Sequence, residues 1–292
     1  MTRTRRGVAA ALFSIALGSA LPAASARSHV VGPGESLWTI ARANRCDVDT
    51  VRRANRLSGT MIRPGQKLRI PSCESARPRV ALKADIERAP AGLQSVGRPQ
   101  DGRLLNASVL PRNPAAWFIR RPERAYGTRA TVLQIQRVIQ RVRRQFPRVH
   151  ALAIGDISAR RGGRITQHGS HQSGRDVDIG FYFKTTPRHY PAEFVVATTD
   201  SIDVAACFAL LTALADTASR PGGVERMYIS YDTQSMLYRL GQKRGISAAT
   251  LDRLFQYPHG EDSQHGLIHH EPGHDDHVHV RFQCPPGDGE CR

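Results

Sequence analysis

The sequence is poor in lysine and aromatic residues, and it lacks several motifs that would fix a reaction mechanism. Only four of its 42 basic residues are lysines, and aromatic residues make up 6% of its 292 positions. No Ser-x-x-Lys tetrad occurs, so an acyl-serine mechanism built on that motif is not supported. No Cys-x-x-Cys pair occurs either, which argues against a zinc–thiolate site.

Long apolar runs are also scarce. The run at 8–21 is too short to span a membrane comfortably; it follows Arg3, Arg5 and Arg6 and precedes the small-residue site Ala24-Ser-Ala26. This pattern predicts a signal peptide over 1–26, with the mature chain beginning near Arg27. No later segment is apolar enough to cross a bilayer, so we expect an exported protein without a membrane span, either periplasmic or secreted.

The formal charge of +17 falls to about +14 once the three signal arginines are removed. Two explanations stay open. The excess of arginine over lysine can reflect a GC-rich genome, or it can attract an anionic partner. For an exported protein the anionic partner would be the cell wall, and we expect no nucleic-acid partner.

The five cysteines are an odd number in an oxidising compartment. Cys284 and Cys291 close a short loop rich in proline and glycine, which predicts a disulfide. Cys46 and Cys73 flank one small unit and could form another. Cys207 lies in an apolar stretch, which is typical of a buried free thiol.

Residues 29–71 read as a compact β-α-α-β unit. Turn residues follow a short strand at Val30-Val31, and Ser36 can cap a helix whose apolar face carries Leu37 and Ile40. A second helix follows Asp47 or Asp49, and a closing strand lies before Pro71. The arginines of these helices also permit a DNA-reading helix-turn-helix, but the export signal and the flanking strands argue against it.

The unit resembles the LysM domain through residues at its strands, turns and helices. They are Val30-Val31, Gly34-Glu-Ser-Leu37, Ile40-Ala41, Asn55, Ile62, Pro64-Gly65-Gln66, Leu68 and Ile70-Pro71. The resemblance implies binding to glycans that contain N-acetylglucosamine, such as peptidoglycan. It also implies a sugar groove between the loops at 32–37 and 61–66.

The rest of the chain reads as a linker over 72–93 and one larger domain over 94–292. Apolar spacing predicts helices over 131–146 and 203–218. It predicts strands over 151–154, 176–183, 224–231 and 276–282. These elements read as one α/β domain, and the fold class predicted for the whole chain is α+β.

Two histidine-rich segments lie far apart in this domain, at 169–178 and 274–279. Together they contain His171, Asp178 and His279, an N/N/O set typical of catalytic zinc. In His277-Val-His279 the strand period of two puts both imidazoles on one face. Asp176-Val-Asp178-Ile repeats the pattern, so two such strands side by side would bring the ligands together. A pH-sensitive histidine cluster or a surface coincidence remains an alternative at this point.

The motifs of this domain resemble the penicillin-insensitive murein endopeptidases, the MepA family of the lysostaphin/D-Ala-D-Ala peptidase/hedgehog group of metallopeptidases. The resemblance lies in five segments: Ile154-Gly-Asp156, Gly162-Gly-Arg164, His168 to Ile179, Arg226-Met-Tyr228-Ile229, and His274 to Cys284 with Cys291 seven residues on. It implies a central antiparallel sheet flanked by helices and one zinc ion per chain. The implied zinc ligands are His171, Asp178 and His279; the implied catalytic histidines are His277, with His274 and His168 in less defined roles.

Several further residues have open roles under the resemblance. Arg164 and Gln172 are candidate contacts to the substrate or to the ligands. Asp156 and Asp176 can orient a ligand histidine or have a purely structural role. A loop near the mouth of the site would carry three further histidines, His265, His269 and His270.

The resemblance implies a zinc-dependent D,D-endopeptidase that cleaves the D-alanyl–diaminopimelyl cross-link of peptidoglycan while the LysM domain holds the glycan strand. Two alternatives stay open. One is a wall peptidase of the same fold with another bond preference, a carboxypeptidase or an L,D-specific enzyme. The other is a non-catalytic wall-binding protein that uses LysM alone.

Overall fold

The computed structural model describes residues 27–32, 35, 37–44, 46, 48–57, 61–72 and 92–292. The predicted signal peptide at 1–26 and most of the predicted linker lie outside the described residues. Both therefore stay predictions. Among the described residues, no helix is long and apolar enough to cross a membrane.

The first unit has the predicted β-α-α-β order. Its elements are β1 (Arg27–Val30), α1 (Leu37–Ala43), α2 (Val48–Ala54) and β2 (Lys67–Ile70). The two strands pair antiparallel, with His29 opposite Leu68. The unit has its own small core, formed by Val31, Leu37, Ile40, Ala41, Cys46, Val51, Leu68 and Ile70.

Asn55 ties the second helix of this unit to its last strand. Its amide nitrogen donates to the carbonyls of Val51 and Arg69, and its amide oxygen accepts from the Arg69 N–H at 2.6 Å. This explains why an asparagine stands at the end of α2. Cys46 is disulfide-bonded, and Cys73, its predicted partner, lies outside the described residues.

The second unit begins with short strands and a long helix and ends with the strand that carries the last histidine motif. The elements in chain order are β3 (Ser95–Arg98), β4 (Asp101–Leu104), β5 (Ser108–Val109), β6 (Trp117–Ile119), a 3-10 turn (Pro122–Arg124), β7 (Tyr126–Gly127), α3 (Arg129–Gln145), β8 (Leu152–Ile154), β9 (Asp176–Gly180), α4 (Val204–Ala215), β10 (Val224–Tyr228), α5 (Tyr231–Lys243), α6 (Ala248–Leu254), β11 (Ile268–His269) and β12 (His277–Phe282).

A six-stranded sheet in the order β11-β10-β12-β9-β8-β6 forms the centre of this unit. The three pairs among β10, β12, β9 and β8 are antiparallel, as predicted, but both outer pairs are parallel. The sheet is therefore mixed. Its two parallel pairs involve the short edge strands β6 and β11, each linked to its neighbour in the sheet by a crossover connection. No sequence signal indicated these edges.

The helices α3 and α4 share one hydrophobic core with the sheet. Thr128 and Asp203 cap them through their side chains. The predicted strand over 224–231 ends early, at Tyr228, because Ser230 caps a new helix, α5. Apolar periodicity did not reveal α5, since only a few of its positions face the core.

The C-terminal segment is fastened to the start of the second unit. The predicted disulfide between Cys284 and Cys291 is present, and Cys207 is a buried free thiol. Inside the disulfide loop, the Asp288 carboxylate accepts from the backbone N–H groups of Gln94 and Ser95. These contacts set the disulfide loop against β3.

Candidate metal centre

The strands β9 and β12 pair so that their polar residues meet on one face of the sheet. His279 lies opposite Asp178, and Arg281 lies opposite Asp176. The alternate residues Val177, Ile179, Val278 and Val280 are fully buried on the other face. A shift of one residue in the pairing of β9 with β12 would turn the polar side chains towards the core. Burial of these four aliphatic side chains therefore fixes the register.

Three donor atoms from the predicted ligands converge at this point. His171 Nε2, Asp178 Oδ1 and His279 Nδ1 lie 3.2 to 3.3 Å from one another. Tetrahedral zinc with ligands at about 2.0–2.1 Å requires edges of about 3.3 Å between donors. The described residues therefore form a triangle of the size that such an ion needs.

Each imidazole is held by an acceptor that fixes which nitrogen faces the triangle. His171 Nδ1–H donates to the Ile157 carbonyl at 3.0 Å, and His279 Nε2–H donates to Asp176 at 3.2 Å. Each ring thereby directs its other nitrogen at the shared centre, which is the arrangement that metal-binding histidines use. The sequence could not identify the Ile157 carbonyl, because a backbone acceptor carries no residue signature.

His171 adopts the left-handed backbone conformation, with φ of 65°. That conformation is uncommon for a residue other than glycine and costs on the order of 1 kcal/mol or more. The Asp176 carboxylate accepts the His171 N–H at 3.0 Å and holds the turn. Asp176 therefore positions two of the three ligand residues. It holds His171 through the backbone N–H of that residue and His279 through the imidazole ring.

The charges at the centre suit a cation. Burial opposes ionisation of Asp178, yet His171 and His279 lower its pKa far below the ordinary range. Burial likewise disfavours the His279 imidazolium, but the Asp176 and Asp178 carboxylates raise the pKa of His279 to about 9. Asp178 Oδ1 has no well-aligned hydrogen bond among the described residues. A buried carboxylate oxygen of this kind is a fitting metal ligand.

The predicted catalytic histidine, His277, lies at the edge of the triangle. Its Nε2 is 3.7 Å from Asp178 Oδ1, and its Nδ1–H donates to Asp276 at 2.6 Å. One face of the ring stacks on Phe194 at 4.7 Å, and the Arg120 guanidinium lies 4.1 Å over the same phenyl ring. Sequence reasoning missed Phe194 and Arg120, since neither lies in a recognisable motif.

The other two predicted histidines flank the triangle. His168 Nε2 lies 2.9 Å from Asp156, a buried carboxylate that also pairs with Arg121 and Arg124. His168 Nε2 also lies 3.8 Å from Asp178 Oδ2, so His168, His171 and Asp178 form a second, looser group of possible metal ligands. The set with His279 is the tighter one.

The His274 ring lies 4.7 Å from His277 and 5.7 Å from His279. Burial, together with the neighbouring His277, lowers the pKa of His274 to about 4. His274 is therefore a neutral hydrogen-bonding group at neutral pH.

The remaining candidate residues do not join the triangle. Gln172 is buried and donates to the Gln100 carbonyl, while Arg164 is exposed. His269 is buried in β11, and His270 accepts the Tyr231 N–H. His265 joins a different group, with Asp252 and His259. The candidates that meet at or beside the triangle are therefore His168, His171, Asp178, His274, His277 and His279, with Asp156 and Asp176.

Comparison with known families matches both units. Residues 29–71 match the LysM domain, and residues 95–236 match the penicillin-insensitive murein endopeptidase family. The resemblance predicted from the motifs is thereby confirmed. The second match contains His168, His171 and Asp178 but ends before 274–279, so pairing of β12 with β9 is what completes the site.

Two curated relatives carry the name of the second family, and a third, matched over a short stretch, does not. A penicillin-insensitive murein endopeptidase of Yersinia enterocolitica is 24% identical over 208 residues, which are 68% of this chain and 69% of that protein. One of Salmonella paratyphi C is 33% identical over 31% of this chain and 33% of its own length. A putative sporulation-specific glycosylase, YdhD of Bacillus subtilis, is 39% identical over 27% of this chain but only 19% of its own length.

Proposed function

We propose that this chain, which carries a LysM domain and a domain of the penicillin-insensitive murein endopeptidase family, is a zinc-dependent peptidoglycan D,D-endopeptidase. Its substrate would be the D-alanyl–diaminopimelyl cross-link between peptide stems. It would act as an exported protein, in the periplasm or secreted, with its LysM domain on the glycan strand. The observation that carries the proposal is the triangle of His171, Asp178 and His279.

The donor set fits one zinc ion. Two neutral imidazole nitrogens and one carboxylate are the ligands of many catalytic zinc sites. The oriented rings and the unsatisfied Asp178 oxygen support this fit. Zinc bound there would polarise the scissile carbonyl and acidify the attacking water. With a single carboxylate among the ligands the centre would stay net positive, which favours a developing oxyanion.

His277 is the proton-transfer group in this proposal. Its Nδ1–H donates to Asp276, so a neutral ring has its unprotonated Nε2 directed towards the site. There it would take the proton of the attacking water and pass it to the leaving amine. The Phe194 ring against one face restricts rotation of the imidazole.

His168 and His274 would bind the peptide on either side of the reacting bond. Asp156 fixes the His168 ring and is itself neutralised by two arginines. The net charge of the mature chain, about +14 once the three signal arginines are removed from +17, would add a long-range attraction to the carboxylates of the wall.

The LysM domain would raise the local concentration of cross-links by tethering. A shallow depression of about 530 Å³ runs along Met61, Arg63, Pro64 and Gln66, the second loop of the predicted sugar groove. Met61 is 86% exposed there, and an exposed apolar side chain suits packing against a sugar ring.

The test is digestion of purified, cross-linked peptidoglycan by the mature chain, with and without a chelator. We expect dimeric muropeptides to become monomers, with no effect of penicillin. The chelator and His279→Ala should abolish the conversion, whereas His189→Asn, at an exposed histidine outside the triangle, should leave it intact.

The products distinguish the alternatives. Release of terminal D-alanine without loss of dimers would indicate a carboxypeptidase, and cleavage at an L,D bond would give different monomer stems. If dimers persist while zinc is bound, the assignment to an endopeptidase fails. If no zinc binds and the chain still adheres to peptidoglycan, the LysM domain alone carries the function.

A further inference from the structure

A second group of histidine and aspartate side chains lies between α6 and the loop before β11. Asp252 stands on α6, and His259 and His265 stand on the loop. Asp252 Oδ1 is 3.0 Å from His259 Nε2 and 2.9 Å from His265 Nε2. The two imidazole rings are 3.9 Å apart between centroids. Three donor atoms therefore converge on one small volume at the surface.

The chemistry of this group matches a divalent transition metal. Two imidazole nitrogens and one carboxylate oxygen are the donors that zinc, nickel and copper prefer. The separations from the carboxylate are close to the edge of about 3.3 Å expected in tetrahedral zinc. The three side chains are between 38% and 51% exposed, so water could complete the coordination.

The loop is shaped by contacts that do not involve the three donors. The Gln256 side-chain amide donates to the Glu261 and Ser263 carbonyls at 2.5 and 2.6 Å. The Tyr231 hydroxyl accepts the Gly260 N–H at 2.9 Å. These bonds close the segment between the two histidines into a fixed turn. Little ordering is then needed to bring both rings to the carboxylate, and this favours binding.

Hydrogen bonding alone does not explain the group well. Exposed ion pairs contribute little to stability, and here both imidazoles direct the same nitrogen, Nε2, at one carboxylate oxygen. A metal cation bound to all three ligand atoms would satisfy the two imidazole nitrogens and the carboxylate oxygen together.

We propose that Asp252, His259 and His265 form a second divalent-metal site, which takes zinc or a similar borderline ion. The bound ion ties α6 to the loop that leads into β11, at the edge of the central sheet. The site is distinct in its residues from the triangle of His171, Asp178 and His279. It does not depend on the proposed hydrolysis of peptidoglycan.

The test is zinc binding to the metal-free, full-length mature chain, followed by calorimetry and by metal analysis after gel filtration. We expect about two zinc ions per chain in the unaltered protein. The double variant His259→Ala/His265→Ala should retain about one, and so should His279→Ala. Asp252→Asn should weaken the second binding event by at least about tenfold, while His189→Asn should change nothing.

Thermal unfolding gives an independent readout. In the His279→Ala background, zinc should still raise the melting temperature, and the rise should vanish when His259 and His265 are also replaced. The melting temperature of each variant without metal shows whether it folds. Equal zinc content in the unaltered protein and the double variant would overturn the proposal, as would a lack of zinc response in His279→Ala.

The muropeptide assay separates this proposal from the proposed function. The double variant should digest cross-linked peptidoglycan at the unaltered rate. If the unaltered chain has no endopeptidase activity but loses one zinc ion on replacement of His259 and His265, the second site stands and the proposed function fails.

Discussion

His279 on β12 lies directly opposite Asp178 on β9, and its Nδ1 is 3.2 Å from the Asp178 carboxylate. The pair is separated by about a hundred residues in sequence, and only strand pairing brings it together. His171 completes the triangle from the loop before β9. Four consequences of this arrangement and its surroundings can be measured.

The first prediction concerns the anionic donor. Asp178→Asn keeps the size of the side chain but removes its charge. Loss of a group that merely orients a ligand costs about 10- to 100-fold in metal affinity, so loss of a ligand should cost at least about 100-fold. Competition against a chromophoric chelator measures this. Asp200→Asn, at an exposed surface position, is the matched control, and equal affinities in the two variants would refute ligation by Asp178.

The second prediction concerns the orientation of His277. Asp276→Asn replaces the carboxylate that accepts from His277 Nδ1–H. We expect kcat on dimeric muropeptides to fall by about 10- to 100-fold, with KM and zinc content unchanged. Asp275→Asn alters the exposed neighbouring carboxylate and should leave kcat unaffected. Loss of zinc in the Asp276 variant would instead mean that the carboxylate supports the metal site.

The third prediction concerns the buried carboxylate of Asp176. It accepts from Arg281 Nε at 2.8 Å, from the His171 N–H and from the His279 ring. Asp176→Asn leaves Arg281 without its counter-charge, which should cost about 3–5 kcal/mol of unfolding free energy. Urea unfolding of the metal-free protein measures it. Adding Arg281→Met should recover part of the loss, and strictly additive effects would contradict the pairing.

The fourth prediction concerns His150, whose two ring nitrogens both form hydrogen bonds when the imidazole is neutral. Its Nδ1–H donates to the Ala151 carbonyl, and its Nε2 accepts the Phe183 N–H at 2.9 Å. Burial lowers the pKa of His150 below its ordinary value. Below about pH 6.5 the unfolded chain therefore binds a proton that the folded chain resists, and stability falls as the pH drops.

The His150→Gln variant isolates this contribution. The difference in unfolding free energy between the unaltered protein and the variant should shrink as the pH is lowered from about 7 to about 5. His189→Asn, at an exposed histidine, is the control for the loss of an imidazole as such. A difference for His150→Gln that does not change with pH would contradict burial of a neutral ring.

The sequence predicted the parts of the site whose signal is local. Alternation in 176–179 and 277–280 indicated strands with polar and apolar faces, and Val177 and Val278 are fully buried. Apolar spacing indicated α3 and α4 to within a few residues. The short edge strands β6 and β11 and the helix α5 escaped detection, because each owes its structure to neighbours and not to its own pattern.

The sequence by itself determined the residue types, the faces of the two strands and the families that the two units match, because these follow from periodicity and local motifs. Only the tertiary structure decided the register that sets His279 against Asp178. It also decided the Ile157 carbonyl that orients His171, the Phe194 ring against His277, and the meeting of Asp252 with His259 and His265. Each of these depends on contacts between distant segments, and such contacts are fixed when the chain buries its apolar faces together.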